Sequence, residues 1–275
     1  MRDYTQAAIE IAKEAGALQM DRLHKQKTIS YKDQNKFNIV TEVDKACEKL
    51  ICDYLKDKFP SHDILAEEGS GFDTKSDWLW IIDPIDGTVN YAHGYPLFSV
   101  SIGLLHKGKV VVGVVYEPNL DELFVGERGG GAVLNDKPIR VSKNKALDGS
   151  MIATGFAYNV NETRLNNIDH FNNFILKCHA VRRDGVASTD LCYIACGRFD
   201  GFWELFLKPW DIAAASVIVE EAGGKLSMFD GRPLDIFGNE IVANNGLIHE
   251  EMLQILKSSD DWRVLSLRVF VGAPN

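Results

Sequence analysis

The segment Trp80-Ile81-Ile82-Asp83-Pro84-Ile85-Asp86-Gly87-Thr88-Val89-Asn90 sets polar chemistry at the end of an apolar run. The run reads as a buried strand, and Pro84, which has no N–H, is expected to end it. Asp83 and Asp86 are then forced close together across a tight turn that Gly87 permits. Paired carboxylates at the end of a buried strand repel unless one protonates or a cation sits between them. Oxygen-only ligands favour Mg2+, Ca2+ or Mn2+ over zinc. Gly87, Thr88 and Asn90 follow at the expected start of a helix, where backbone N–H groups can cradle a phosphate. A cation site beside an anion site is what metal-assisted phosphoryl transfer requires. Taken singly, Asp-Pro and Asp-Gly are ordinary turn dipeptides. The whole string behind Trp-Ile-Ile is not ordinary.

Two further acidic sites fit the same chemistry. Glu67-Glu68-Gly69 follows the apolar pair Ile64-Leu65, and Trp210-Asp211 opens the apolar stretch Ile212 to Glu221. Alone, the first would read as a solvated loop and the second as a helix cap.

The elements that must bring these residues together can be read from periodicity. Apolar residues at three- and four-residue steps predict a helix from Tyr4 to about Lys27 and a second from Asp44 to Lys58, with Asp44 at the N-cap. Between them lie a polar loop from Tyr31 to Asn38, a candidate lid, and the short run Ile39-Val40-Thr41. Trp78 to Ile82 reads as a strand. Leu97–Leu105 and Val110–Tyr116 read as a hairpin across His106-Lys107-Gly108-Lys109, continued by Leu123-Phe124-Val125 and Ala132-Val133-Leu134. Helices are expected over Thr163–Lys177, Leu191–Cys196, Asp211–Ala222 (closed by Gly223-Gly224) and Glu250–Leu256, with strand-like Phe202-Trp203 among them. Strands mixed with helices, without strict alternation, predict a layered α+β fold. The chain divides into halves 1–145 and 146–275 that form one compact unit, the boundary lying near the polar stretch Ser142-Lys143-Asn144-Lys145.

Composition removes several classes of function. The chain has 275 residues, 45% hydrophobic and 25% charged, which is ordinary globular usage. Its longest apolar runs fall far short of the ~18 residues a bilayer span needs, so no membrane partner is expected. Met1-Arg2-Asp3-Tyr4 lacks the pattern of a signal peptide, and five unpatterned cysteines fit free thiols in a reducing compartment. A cytoplasmic location is expected. A net charge of −9 without a basic run argues against nucleic acid as a partner. A small phosphorylated substrate stays compatible, because cations can supply the positive charge. Cys192 and Cys196 read as packing residues, since no second pair completes a zinc set. The seven histidines show no paired spacing; His93, just behind the phosphate turn, is the one nearest the chemistry. Gly126-Glu127-Arg128-Gly129-Gly130-Gly131 invites a dinucleotide reading but lies in a β-meander with no helix after it. Trp78, Trp80 and Trp210 are expected to wall the core around the site.

Asp-Pro-Ile-Asp-Gly-Thr after Trp-Ile-Ile, Glu-Glu-Gly upstream, and Trp-Asp-Ile-Ala-Ala-Ala with a closing Glu-Ala-Gly-Gly downstream resemble both signatures of the inositol monophosphatase family. Asn38-Ile39-Val40-Thr41-Glu42-Val43-Asp44 and Asp190–Arg198 running into Asp200-Gly201-Phe202-Trp203-Glu204 match as well. That family belongs to the Mg2+-dependent, lithium-sensitive sugar phosphatases. The resemblance implies an αβαβα sandwich, a homodimer and two or three Mg2+ ions per site. It implies that Glu67, Asp83 and the Ile85 carbonyl hold one ion, that Asp83, Asp86 and Asp211 hold a second, and that a third leans on Glu67. It implies phosphate-binding amides at Gly87 and Thr88, a Thr88–Asp44 couple that deprotonates the attacking water, and substrate contacts at Glu204, Gly185 and Ala187. The implied activity is hydrolysis of inositol monophosphate. Fructose-1,6-bisphosphate, the 2′-phosphate of NADP and 3′(2′),5′-bisphosphonucleotides are the alternative substrates, and a regulatory scaffold touching transcription or ribosome machinery is the non-enzymatic alternative. One departure bears on the alcohol: Gly185-Val186-Ala187-Ser188, preceded by Asp184, stands where the family often has Gly-Ser-Ala-Ala.

Overall fold

The structure is a computed structural model that describes residues 1–32, 35–70, 75–163 and 165–258. Among these, five layers stack in the order helices, sheet, helices, sheet, helices. The first layer is α1 (Arg2–Arg22) and α2 (Glu42–Lys58), joined through the short ribbon β1 (Ile29–Tyr31) and β2 (Ile39–Thr41). Their apolar faces meet one side of a seven-stranded sheet. That sheet runs β3 (Asp63–Ala66), β4 (Trp78–Asp86), β5 (Ser99–His106), β6 (Lys109–Glu117), β7 (Glu122–Glu127), β8 (Gly131–Leu134) and β9 (Lys137–Pro138) in spatial order. Only β3 and β4 are parallel; from β4 onward the sheet is an antiparallel meander, as the hairpin signals predicted. A one-turn helix, α3 (Thr88–Ala92), follows β4.

The middle layer is α5 (Ala187–Ala195) and α6 (Pro209–Glu221), buried between the two sheets. The second sheet has the order β11 (Ala180–Arg182), β10 (Met151–Thr154), β12 (Gly201–Leu205), β14 (Glu240–Asn244) and β13 (Lys225–Ser227). Its outer face packs on α4 (Ile168–Ile175) and α7 (His249–Lys257). The expected α+β sandwich is therefore the fold. The helix expected from Thr163 begins only at Ile168, with Arg164 outside the described residues, as are Asp33 and Gln34 of the polar loop.

One contact decides where α6 lies. Gly103, Gly113 and Gly126 stand opposite one another across β5, β6 and β7. They form a bare strip on the sheet, and the backbone of α6 settles onto it. A methyl group at Gly113 would overlap the Ala214 carbonyl and stand 2.7 Å from Val217 Cγ1, and one at Gly126 would stand 2.9 Å from Ile218 Cα. Gly126, which invited a dinucleotide reading, is thus a packing glycine.

Two predictions follow from these layers. Gly113→Ala should lower stability by about 1–3 kcal/mol through overpacking against α6, whereas Gly149→Ala, with only Asn144 side-chain atoms 3.7 Å away, should stay within about 0.5 kcal/mol; denaturant midpoints check both. His170 and His249 are buried, and burial pushes each down to about 4. In His249 the neutral ring accepts at Nδ1 from the Asn244 amide (2.8 Å) and pairs Nε2 with Ser227 Oγ (3.1 Å). The folded pKa lies below the unfolded value near 6.5, so the unfolded chain takes up protons first. Their stabilisation is full above about pH 6.5 and is lost as pH falls toward 4, by about 1.4 kcal/mol per pH unit per histidine. His249→Gln should remove about one proton's worth of that slope over pH 4–6.5 relative to the parent, read from urea midpoints.

Candidate active site

β4 does not stop at Pro84. It pairs with β5 up to Asp86, with Asp83 opposite Ser101 and Asp86 opposite Ser99. Pro84 and Ile85 thus face the single residue Val100, which is a β-bulge. Side chains on a strand alternate, so residues three apart should point to opposite faces. The extra residue resets that alternation. Ile85 enters the core under α1 and α2, while both aspartates turn toward α5 and α6. The expectation that proline ends the strand is corrected: its missing N–H interrupts the ladder locally, and the strand resumes. The backbone groups freed there are satisfied. Gln19 Nε2 donates to Pro84 O (2.7 Å), the Ile85 N–H donates to Asp83 Oδ1 (3.0 Å), and Thr88 Oγ1, whose one proton is shared with the shorter contact to Asp44, stands 3.1 Å from Ile85 O.

The ladder partners of the two aspartates anchor the middle helices, a feature the motif reading missed. Ser101 Oγ donates to Trp210 O (3.1 Å), and Ser99 Oγ meets Ser188 Oγ (2.8 Å) and Thr189 Oγ1 (3.2 Å). The Ser188 N–H at the start of α5 donates to Asp86 Oδ2 (2.7 Å). Asp211 lies in the first turn of α6, where its Oδ2 accepts the Lys208 N–H (2.6 Å), leaving the carboxyl beside Asp83. Its position is N3, one turn inside a helix that begins at Pro209.

Asp44 is also at N3 rather than at the N-cap. Thr41 caps α2, and Asp44 Oδ2 returns the contact by accepting the Thr41 N–H (2.9 Å), a capping box. Asp44 Oδ1 is left to accept from Thr88 Oγ1 (2.8 Å). Gly87, with φ 94° and ψ 34°, turns the chain from β4 into α3 in a left-handed conformation that favours glycine. Val186, the departure from the family pattern, is fully buried and packs on Gly87; a methyl at Gly87 would stand 2.8 Å from its Cγ2. It buttresses the turn from beneath instead of lining the open wall.

Glu67 follows β3, next to β4. Lys32 reaches it from the loop after β1, with Nζ 2.7 Å from Glu67 Oε1 and 2.5 Å from Glu68 Oε1. Nothing in the sequence pattern signals Lys32, because the contact is non-local. Burial alone would lower the Lys32 pKa, but the two glutamates outweigh it and raise the value. Burial pushes Glu68 up to about 7 despite Lys32.

The carboxyls feel one another strongly. Burial first, then Glu67, Asp86 and Asp211, hold Asp83 well above the carboxylate range. Burial, then Asp86 and Glu67, do the same to Asp211. Asp86 is pushed to about 6 by burial, with the Ser188 hydrogen bonds resisting. Only protons or cations make such a set tolerable, and its donors are all oxygen, which suits a hard divalent ion. Among the described residues, no three His, Cys, Asp or Glu groups already stand in ion-holding geometry; Lys32 engages Glu67 instead. The donor chemistry and shared field fit the ion.

Glu204 projects from β12 into the field of Asp211 and Asp86 and close to Arg183. Burial, then Asp211, raise its pKa well above normal. Gly185 precedes α5 with φ +77°, beneath the Arg183 guanidinium, and Ala187 is the first residue of α5. Asn90 Nδ2 ties α3 to this loop by donating to Asp184 O (2.8 Å) and to Leu97 O (3.0 Å). The sequence-expected residues therefore gather in one region. His93 is exposed at the end of α3. Tyr158, from the loop after β10, was not anticipated: burial, then the charges of Glu67, Asp211, Asp86 and Asp83, raise its phenol.

Known proteins resemble the chain over most of its length. The model of the inositol monophosphatase family matches residues 1–261. An inositol-1-monophosphatase of Synechocystis sp. is 46% identical over 226 residues, 82% of this chain and 79% of that protein. A Pseudomonas aeruginosa protein named Nus factor SuhB is 38% identical over 264 residues, 94% of this chain and 97% of that one. The solved structure of an inositol monophosphatase from Anabaena (Nostoc) sp. PCC 7120 superposes with a TM-score of 0.86 at 41% identity, covering 96% of this chain and 98% of that one.

Because the buried carboxyls repel, Asp83→Asn should raise the melting temperature of the ion-free protein, by about 2–4 °C for each kcal/mol relieved. Any upward shift of the parent in Mg2+ should be absent from the same variant. Thermal scans in chelator and in Mg2+ read both effects.

Proposed function

The chain belongs to the inositol monophosphatase family, a metal-dependent family, and from that premise we propose that it is a Mg2+-dependent phosphomonoesterase that hydrolyses inositol monophosphate with an activated water. The supporting observation is the 2.8 Å bond from Thr88 Oγ1 to Asp44 Oδ1, set one turn beyond the Asp83–Asp86 bulge. Glu67, Asp83 and the Ile85 carbonyl are assigned to one ion and Asp83, Asp86 and Asp211 to a second, with a third leaning on Glu67. Bound Mg2+ would cancel the carboxylate charge, polarise the phosphoryl oxygens and acidify water. Thr88 Oγ1 is assigned to take the proton of the attacking water as it passes its own to Asp44, a role supported by their hydrogen bond. Burial raises the Asp44 pKa, which makes that carboxylate a better proton acceptor. The Gly87 and Thr88 N–H groups are assigned to the phosphate oxygens. Glu204, with Gly185 and Ala187, is assigned to the hydroxyls of the alcohol. Both halves of the chain thus contribute to one site and act as one unit.

We assign a small phosphorylated substrate and a second copy of the chain as partners. The cytoplasm is the proposed setting, supported by five free cysteines and by the absence, among the described residues, of any helix long and apolar enough to cross a membrane. Lithium sensitivity is expected from the family. The Nus-factor name of one relative keeps a scaffold reading in view, but a scaffold has no need of a buried carboxylate set that destabilises the ion-free protein.

Phosphate release from inositol-1-phosphate, fructose-1,6-bisphosphate, NADP and adenosine 3′,5′-bisphosphate, with Mg2+ and with chelator, tests the assignment; the inositol ester should lead and chelation should abolish all turnover. In Asp86→Asn the amide oxygen can still accept from Ser188, so the fold should persist while turnover falls at least about a hundredfold. Near-normal turnover there would overturn the assignment. Glu204→Gln should chiefly alter KM and ester preference.

A further inference from the structure

The loop after β10 meets β12 on the alcohol side of the cleft. Gly155 lies directly against Glu204: a methyl group there would overlap both carboxylate oxygens and stand 2.5 Å from Cδ. The backbone of Gly155 lies outside the left-handed region, so its conformation would accept alanine. What excludes a side chain is the carboxylate itself.

Gly155 is also held from behind. Buried Asn167 donates from Nδ2 to Gly155 O (2.7 Å) and to Thr154 Oγ1 (2.9 Å), and its Oδ1 accepts from Trp203 Nε1 (2.7 Å). Thr154 Oγ1 donates to Trp203 O (2.5 Å). One amide therefore ties the loop backbone to the strand residue next to Glu204, so a side chain at Gly155 would be accommodated by the Glu204 carboxylate. Three residues along, Tyr158 lies in the field of the site carboxylates, so the same loop continues beside the site.

We infer that Gly155 is a specificity-determining residue: its bare Cα seats the Glu204 carboxylate in the alcohol pocket, which fits a leaving group that has hydroxyls to donate. Asn167 is the positioning residue behind it. This rests on the proposed role of Glu204 as acceptor of substrate hydroxyls.

The test compares inositol-1-phosphate with 4-nitrophenyl phosphate, whose leaving group has no spare hydroxyl, in Mg2+. Gly155→Ala should raise KM for the inositol ester about tenfold, as expected when a hydrogen-bonding acceptor is displaced, and leave both constants for the aryl ester within about twofold. In a Glu204→Ala background the same change should add nothing, because the overlap is gone. A Gly155→Ala effect that persists in that background, or that falls equally on both esters, overturns the inference. If Glu204→Ala raises the inositol KM but Gly155→Ala does not, only the inference fails. If Glu204→Ala leaves that KM unchanged, the alcohol-pocket reading fails and takes the inference with it. Should Gly155→Ala not fold, Gly155→Ala/Glu204→Ala should restore the parent melting behaviour, and failure to do so also overturns it.

Discussion

A strand cannot aim two side chains three residues apart at the same point unless it gains a residue between them. The bulge at Pro84 and Ile85 supplies that residue, and with it Asp83 and Asp86 share the face that looks toward α5 and α6. A regular strand would drive one of them into the apolar layer under α1 and α2, where Ile85 packs instead. Proline suits the place because the bulge leaves one ladder position without a partner, so a missing N–H costs nothing there. The cost appears in charge. Both aspartates are buried with Asp211 and Glu67 in their field, and their carboxyls shift strongly upward.

The helices around the site limit that cost. Asp44 and Asp211 each sit at the third position of a helix and accept the N–H that precedes it, while Asp86 accepts an N–H from the first turn of α5. Three helix N-termini therefore point at carboxylates, a favourable orientation for negative charge worth about 0.3–1 kcal/mol each. It is not enough to hold Asp83, Asp86 or Asp211 in the ordinary carboxylate range, so protons or cations must still neutralise them. Placement of α6 depends in turn on the glycine strip Gly103–Gly113–Gly126. A sheet with ordinary side chains along that row would hold the helix away and carry Asp211 out of reach of Asp83. Packing glycines far from the chemistry thereby set a distance within it.

The acidic motif was legible in the sequence because it is a long string of residue types with few alternative uses, and the Thr88–Asp44 couple was legible only as what the family resemblance implies. The five layers were legible as a family expectation, and the strand meander from its turns. What escaped were relations between distant positions. Pro84 read as a terminator, because a bulge depends on the register with β5. Ser99 and Ser101 look like any half-polar strand residues until their partners in α5 and α6 are known. Lys32 lies in a loop whose sequence carries no pattern, and its contact with Glu67 and Glu68 crosses from one layer to another. Asp44 read as a cap because Thr41, the true cap, also ends a strand-like run.

The residues assigned to hydrolysis and those assigned to the alcohol come from different sheets. Asp83, Asp86, Thr88 and Glu67 stand on or beside β4, whereas Glu204 stands on β12 and Gly185 and Ala187 lead into α5. The polar part of the join between them runs from Ser99 and Ser101 to α5 and α6, from Asp86 to the Ser188 N–H, and from Asn90 to the Asp184 carbonyl. Val186 shows what the join tolerates. It is larger than the family's usual serine, yet its side chain goes into the packing under Gly87 and leaves the open wall to its neighbours. A change of alcohol preference can therefore be made on the second sheet and its loops without moving the carboxylates of β4 that are assigned to the ions. Changes on the β4 side have less freedom, since the bulge sets the direction of both Asp83 and Asp86.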